Sequence, residues 1–367
     1  MMQIRSHHVT KTLVLVVVIG IGLASIVGTN GTGGTDSQSY ALAYSALGDK
    51  SIKVRWSVDG ATWKDSTVPQ QSWATGMDLA ATPDKLIFQL AGLDVTAKKI
   101  KIIQGLSVEN WIDKPIDAVP PDEAKSAPTM AFLGSGKWLV VYRIPGTAPD
   151  VGDNIAARRL DTGVTPPQYT GGNVFGFPGY DTLTLGRPAV ATLQNKVVLA
   201  WRTQGQLGLH IGVGAVSQGQ IAWGSHIVLP MNEPTVCNAV RSDPVLTQDH
   251  SAFYLGFLCS SQNSLQNKLY VLKSSDGTTW AYYGNWNNLP NGIPSNAYIG
   301  MAGRADGSLI ALALTADQGI LAAKCAGGDA CKERGNVTWQ HLDGSQFFNT
   351  PPNYAQFAFI AAGQPVP

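Results

Sequence analysis

Four arginines stand where apolar runs begin or end. Arg143 closes KWLVVYR and Arg202 closes KVVLAWR, while Arg187 leads into RPAVATL and Arg241 into SDPVLTQ. A guanidinium presents a rigid fork of N–H donors, so it suits bidentate capture of a carboxylate. Gathered on one face, the four would form a substrate-binding anion site. The competing reading pairs each with a nearby aspartate such as Asp181 or Asp243. Glutamate is scarce, occurring at 109, 123, 233 and 333. Glu233 lies in PMNEPTVCNAVRSDP, and a bond from Cys237 to Cys259 would staple that loop and hold the carboxylate near Arg241. A loop glutamate that simply faces water is the alternative. FGFPGYD (175–181) and Trp73 add rings that suit stacking on a flat ligand or packing within a loop.

Metal chemistry finds no support. The histidines at 7, 8, 210, 226, 250 and 341 are scattered, and the four cysteines make no C-x-x-C pair. No metal and no cofactor is expected. The cysteines instead fall into local pairs, Cys237 with Cys259 and Cys325 with Cys331, which read as two disulfides in an exported chain.

The arginines need strands to hold them, and the strands repeat. A small or Pro-led strand comes first (APTMAFL, RPAVATL, SDPVLTQ). A second apolar strand follows (KWLVVYR, KVVLAWR, AFYLGFL, SLIALAL), then a third that runs into a turn and a tryptophan, as in KLYVLKSSDGTTW. KLYVLKS alternates with the period of two that a half-buried strand needs. Trp63, Trp111, Trp223, Trp280 and Trp339 recur at about 50 to 60 residues, with one gap of about twice that, which is the period of an array or propeller. Six units result: 40–68, 76–118, 126–169, 186–229, 242–289 and 297–342. The first lacks an opening strand, and NYAQFAFIAA (353–362) supplies one. The expected fold is therefore all-β: a six-bladed β-propeller of four-stranded antiparallel blades, closed by the C-terminal strand pairing into the first blade. Its ligand face would be formed by loops entering first strands and leaving second strands, where the arginines lie.

The turn itself reads as structure. Asp276 can accept from the turn's own amides, Gly277 allows positive φ, and Trp280 plugs a gap between neighbours. SVDGATW (57–63) and SSDGTTW (274–280) resemble the Asp box of the sialidase superfamily, also called the BNR repeat, in a form one residue shorter than usual. The resemblance spans 40–362 as architecture and is strong as a motif in two units. It implies carbohydrate as the partner. It also implies an arginine triad for a sugar carboxylate, a tyrosine nucleophile paired with a glutamate, and an aspartate acid/base, outside the usual two-carboxylate scheme. Glu233 would be the glutamate. Tyr354, Tyr298 or Tyr180 would be the tyrosine, with Tyr354 foremost. Asp181, Asp122 or Asp153 would be the aspartate, with Asp181 foremost. The family's Arg-Ile-Pro appears as Arg143-Ile144-Pro145, but at the end of a strand in the third unit instead of the entry to the first. Two functions follow as expectations: a glycoside hydrolase for an acidic sugar such as sialic acid, or a non-catalytic propeller that binds glycan or protein. An arabinanase-like hydrolase, suggested by Asp243-Pro244, fits a five-bladed ring and is disfavoured by six units.

Composition bounds the rest. The chain has 367 residues, enough for one large all-β domain, and its 40 Gly, 21 Pro and 14% charged residues suit short strands joined by tight turns. A net charge of +1 gives no nucleic-acid face. Arg5 and Lys11 precede the apolar run TLVLVVVIGIGLA, and Gly22-Leu23-Ala24 fits a cleavage site. Residues 1–24 thus read as an export signal, or as an N-terminal membrane anchor if uncleaved. Residues 25–39 read as a flexible linker before a single domain at 40–362. A secreted, periplasmic or cell-surface monomer is expected.

Overall fold

The computed structural model describes the chain from Ser39 to Ala362, apart from residues 47–50, 58–63, 73–74, 83–86, 95, 107–109, 117–119, 121, 147–152, 171–173, 176–183, 185, 204–208, 230–238, 241, 261–266, 287–297, 304–307, 316–318, 326–330, 332–336, 338 and 343–353. The expected signal and linker lie outside the described residues, except Ser39, which already belongs to the first strand.

The described strands form six antiparallel sheets. The first holds β1 (Ser39–Ala46), β2 (Ser51–Ser57) and β3 (Lys64–Ser72). The second holds β4 (Thr75–Ala81), β5 (Phe88–Asp94), β6 (Lys99–Gly105) and β7 (Trp111–Ile116). The third holds β8 (Thr129–Gly134), β9 (Lys137–Ile144), β10 (Asn154–Asp161), β11 (Gln168–Tyr169) and β12 (Val174–Phe175). The fourth holds β13 (Ala189–Leu193), β14 (Lys196–Arg202), β15 (Leu209–Ser217) and β16 (Gln220–Leu229). The fifth holds β17 (Ala239–Val240), β18 (Val245–Gln248), β19 (Phe253–Ser260), β20 (Asn267–Ser274) and β21 (Ala281–Trp286). The sixth holds β22 (Tyr298–Gly303), β23 (Leu309–Thr315), β24 (Gly319–Cys325) and β25 (Trp339–Leu342). The last strand, β26 (Tyr354–Ala362), returns to the first sheet and pairs with β1 from Ser39↔Ala362 to Ala46↔Tyr354.

These sheets stand as blades of a β-propeller. The first strands lie against one another in the order β26, β4, β8, β13, β18, β22, and β22 also lies against β26. Two sheets depart from the four-strand plan. In the third, two short strands, β11 and β12, share the outer edge of β10. In the fifth, two short strands, β17 and β18, share the inner edge of β19, so its opening strand starts earlier than the expected Ser242.

Burial explains the sequence pattern. Second strands are covered on both faces by neighbouring sheets, so they read as unbroken apolar runs; Val197 to Trp201 in β14 are all buried. The outermost β16 alternates exposed and half-buried residues instead. The core is accordingly divided into layers between adjacent sheets. One joins the fifth to the sixth, with Tyr254, Tyr283, Trp286 and Leu309. Another joins the fourth to the fifth, with Ile211, Phe253 and Leu255, and Trp280 packs on it.

The S-S-D-G-T-T-W turn joins β20 to β21. Asp276 Oδ1 accepts from the amides of Thr278 and Thr279, both at 2.7 Å, and Trp280 Nε1 donates to Gly277 O at 2.9 Å. The Thr279 amide foremost holds the Asp276 carboxyl well below the usual carboxylate range. Gly277 has φ of 79°, and a side chain there would run into Val198 of the fourth sheet. The corresponding turn of the first unit lies outside the described residues.

Two further devices join the sheets. Lys137 and Lys196 each open a second strand, and each donates to a turn carbonyl of the following sheet: Gln218 O at 3.0 Å and Asp276 O at 3.3 Å. The inner strands are linked through their open edges, whose amides lack a ladder partner. The Met130 amide donates to Asp78 Oδ2 (2.6 Å), the Val190 amide to Thr129 Oγ1 (3.1 Å) and the Gly303 amide to Thr247 Oγ1 (3.1 Å). Each acceptor belongs to the sheet before its donor.

Candidate functional site

The face at the ends of second strands and the entries to first strands holds a connected group of polar residues. Thr184 is its hub. Its backbone bridges Asp153, beside the third sheet, and Thr203, beside the fourth. Its amide donates to Asp153 O at 2.8 Å, and its hydroxyl donates to Gly186 O at 3.0 Å. Both Thr184 and Thr203 are buried. This short segment therefore fixes the loop that leads through Arg187 into β13.

The structure gives each described arginine a definite partner. Arg143, at the end of β9, pairs with Asp153 at 2.6 Å. Arg187 pairs with Asp78 of β4 at 3.0 Å. Arg202, at the end of β14, donates from Nη1 to the Val240 carbonyl of β17 at 3.2 Å. Of the expected local partners, Asp243 pairs with none of these three among the described residues. Asp181 itself lies outside the described residues, and Asp243 holds no ion pair among them. Glu233 and Arg241 also lie outside them. Tyr354 begins β26 opposite Ala46, and only its backbone place is described. The alternatives Tyr298 and Tyr180 have no described side chain, and neither has Trp73.

The two alternative aspartates both face cations. Asp153 holds Arg143. Asp122 accepts both arms of Arg158, at 2.6 and 2.7 Å, together with the Tyr142 hydroxyl at 3.0 Å. Arg158 foremost lowers the Asp122 carboxyl, so it stays ionised and is poorly suited to donate a proton at neutral pH. This triad packs between the second and third sheets and reads as a structural tie.

Sequence reasoning passed over three groups here. Asp78 is the most informative. It reaches from the second sheet past the third, taking the Met130 amide, to Arg187 at the entry of the fourth. Burial raises its carboxyl above the ordinary value, and Arg187 and the amides of Met130 and Leu79 only partly offset this. The signal was present in ATGMDLAAT, where a lone aspartate interrupts an apolar inner strand. The second and third groups are His210 and His226. They share a hydrogen bond (Nδ1 to Nε2, 3.0 Å), with Thr203 Oγ1 at 3.3 Å from His210 Nε2 and the Trp201 ring beside both. Burial lowers the pKa of His226, which favours its neutral form. Sixteen residues separate the two in sequence, and only the register His210↔Val228 brings them together. Among the described residues, no three histidine, cysteine or acidic side chains gather as a metal site.

Cys325 and Cys331 form a disulfide that closes the short loop after β24. The Cys331 carbonyl accepts from Trp286 Nε1 of the fifth sheet at 3.3 Å. Cys259 is also disulfide-bonded; its expected partner, Cys237, lies outside the described residues.

No protein-family model matches the sequence. No curated protein matches it either. Solved structures do. TolB from Acinetobacter baumannii is similar with a TM-score of 0.52 at 12% identity, covering 90% of this chain and 68% of that one. Aleuria aurantia lectin, solved in complex with Fucα1-6GlcNAc, is similar with a TM-score of 0.52 at 10% identity, covering 82% of this chain and 91% of that one. At such identities the likeness shows the fold alone.

Proposed function

We propose that this chain is an exported, closed six-bladed propeller that recognises carbohydrate on the face organised by Thr184. The observation that carries the reading is the assembly around that residue. Through Asp153, Thr203 and Gly186 it draws the segments bearing Arg143, Arg202 and Arg187 together. Six sheets and the β26–β1 ladder support the ring. The Cys325–Cys331 disulfide fits an oxidising compartment, in keeping with an export signal at 1–24. That a propeller can present such a ligand is illustrated by the lectin bound to Fucα1-6GlcNAc.

The finer form of the proposal is a sialidase-like hydrolase for an acidic sugar. Arg143, Arg187, Arg202 and Arg241 would bind the sugar, and Glu233, Tyr354 and Asp181 would perform the chemistry. The test is turnover of a fluorogenic aryl sialoside beside neutral aryl glycosides, with Glu233→Gln and Arg241→Ala as controls. Sialoside turnover lost in both variants supports the acidic-sugar enzyme. Turnover of a neutral glycoside alone keeps the enzyme and removes the anion site.

A non-catalytic binder of glycan or protein is the second reading. It is favoured by the ion pairs: Arg143 and Arg187 already hold Asp153 and Asp78, so two arginines have lost much of their appeal to an external carboxylate. Absence of turnover on every glycoside, with retention on a glycan array, would select it.

A further inference from the structure

Most described carboxylates and arginines at this face are matched within the protein, and the two exceptions share one stretch of chain: Asp243 lies just before β18, and Arg202 meets Val240 of β17. Every other described aspartate or glutamate side chain accepts a hydrogen bond or an ion pair. Asp243, half-buried just before β18, takes part in neither with any described residue, although Arg187 directly follows the glycine it touches. Arg202 is the complementary case. Its Nη1 meets a backbone carbonyl, and among the described residues its buried Nε has no partner and no carboxylate pairs with it. The carbonyl it meets belongs to Val240, three residues before Asp243.

Space has been made for the aspartate. A methyl group at Gly186 would overlap the Asp243 carboxylate. The backbone of Gly186 is held on both sides by the Thr184 hydroxyl, which donates to its carbonyl and accepts from its amide. The glycine therefore serves as a seat. It lets a carboxylate rest against a rigid loop with its acceptor positions unused. Leaving a half-buried carboxylate unpaired is costly and is normally avoided. A charge in that position is more readily explained by a ligand than by the fold.

We propose that Asp243 and Arg202 bind one ligand between them at the junction of the fourth and fifth sheets. Building on the carbohydrate reading above, the ligand class is a sugar acid. Its hydroxyl groups donate to Asp243 and its carboxylate accepts from Arg202. Asp243 thereby becomes a binding residue in its own right and not a partner for an arginine. The site is close to electrically balanced, so it selects by placing a donor and an acceptor group, not by bulk attraction of anions.

The test is calorimetric titration of the full chain with N-acetylneuraminic acid, with its methyl ester, and with neutral galactose and fucose, alongside thermal melts. Asp243→Asn should weaken binding of the sugar acid by about ten- to a hundredfold, the range for a hydrogen bond to a charged group. It should not lower the melting temperature, because the Asp243 side chain has no hydrogen-bond or ion-pair partner among the described residues for the change to remove. Gly186→Ala should produce the same loss with every charge retained. Arg202→Gln should remove the preference for the acid over its ester. If the parent protein binds a sugar and Asp243→Asn binds it equally well, the inference fails while the carbohydrate reading stands. A lowered melting temperature for Asp243→Asn would assign the residue a structural role and also overturn the inference. If the parent protein binds none of these sugars, both fall.

Discussion

Asp276 shows how one side chain can define a turn. Its carboxylate satisfies the amides of Thr278 and Thr279, so Asp276→Ala leaves both without their acceptor. A loss of about 1–2 kcal/mol is expected, similar to the loss of a helix-capping carboxylate, measurable by chemical denaturation. The pH dependence has a definite sign. The folded-state pKa lies below the ordinary value of 3.8, so the contribution is present above that pH. It disappears as pH falls through the lower folded-state value. Asp276→Asn should therefore flatten the acid limb of the stability curve below about pH 4. Asp78 has the opposite sign. Its raised carboxyl penalises folding increasingly as pH rises from 3.8 through the folded value, while Arg187 limits the penalty. Residue-level reading of the sequence succeeded with the turn, because all of its partners are local. It failed to identify the partners of Arg143 and Arg187. Asp153 lies ten residues from Arg143 and Asp78 more than a hundred from Arg187. Such pairings depend on how sheets stack, which no local pattern records.

At the scale of elements, strand order was legible because second strands carry continuous apolar runs and third strands end in turns. The returning β26 could be anticipated because the first unit lacked an opening strand. The splitting of β17 from β18 could not, since Pro244 and Asp243 interrupt a segment that otherwise reads as one strand. The lysine links also went unseen, although KWLVVYR and KVVLAWR both begin with the relevant residue. Lys196→Met should preserve the packing of the aliphatic stem and lose the bond to Asp276 O. A cost of about 1 kcal/mol is expected, with faster hydrogen exchange at the β20–β21 turn as the local readout. The link between the second and fourth sheets can be isolated by a double-mutant cycle on Asp78→Asn and Arg187→Gln. Coupling of about 1–3 kcal/mol is expected for a half-buried ion pair, and additive effects would show that solvent screens it.

The whole molecule depends on its last strand. Ending the chain before β26 would strip β1 of its ladder partner and open an edge to other chains. Such a truncation should melt at a lower temperature and associate in sedimentation experiments. The face around Thr184 should remain assembled only while the inner strands keep their places, so truncation should also abolish any sugar binding. One further consequence lies in the direction of the links. Lys137 and Lys196 reach forward to the next sheet, and Asp78, Thr129 and Thr247 each receive an amide from the next sheet. Every one of these contacts runs in the order in which the chain is made. During synthesis, each completed sheet thus offers the next one a waiting set of partners as it emerges. The first sheet is the exception. It is whole only once β26 has been made, and a nascent chain arrested before β26 should be protease-sensitive at β1.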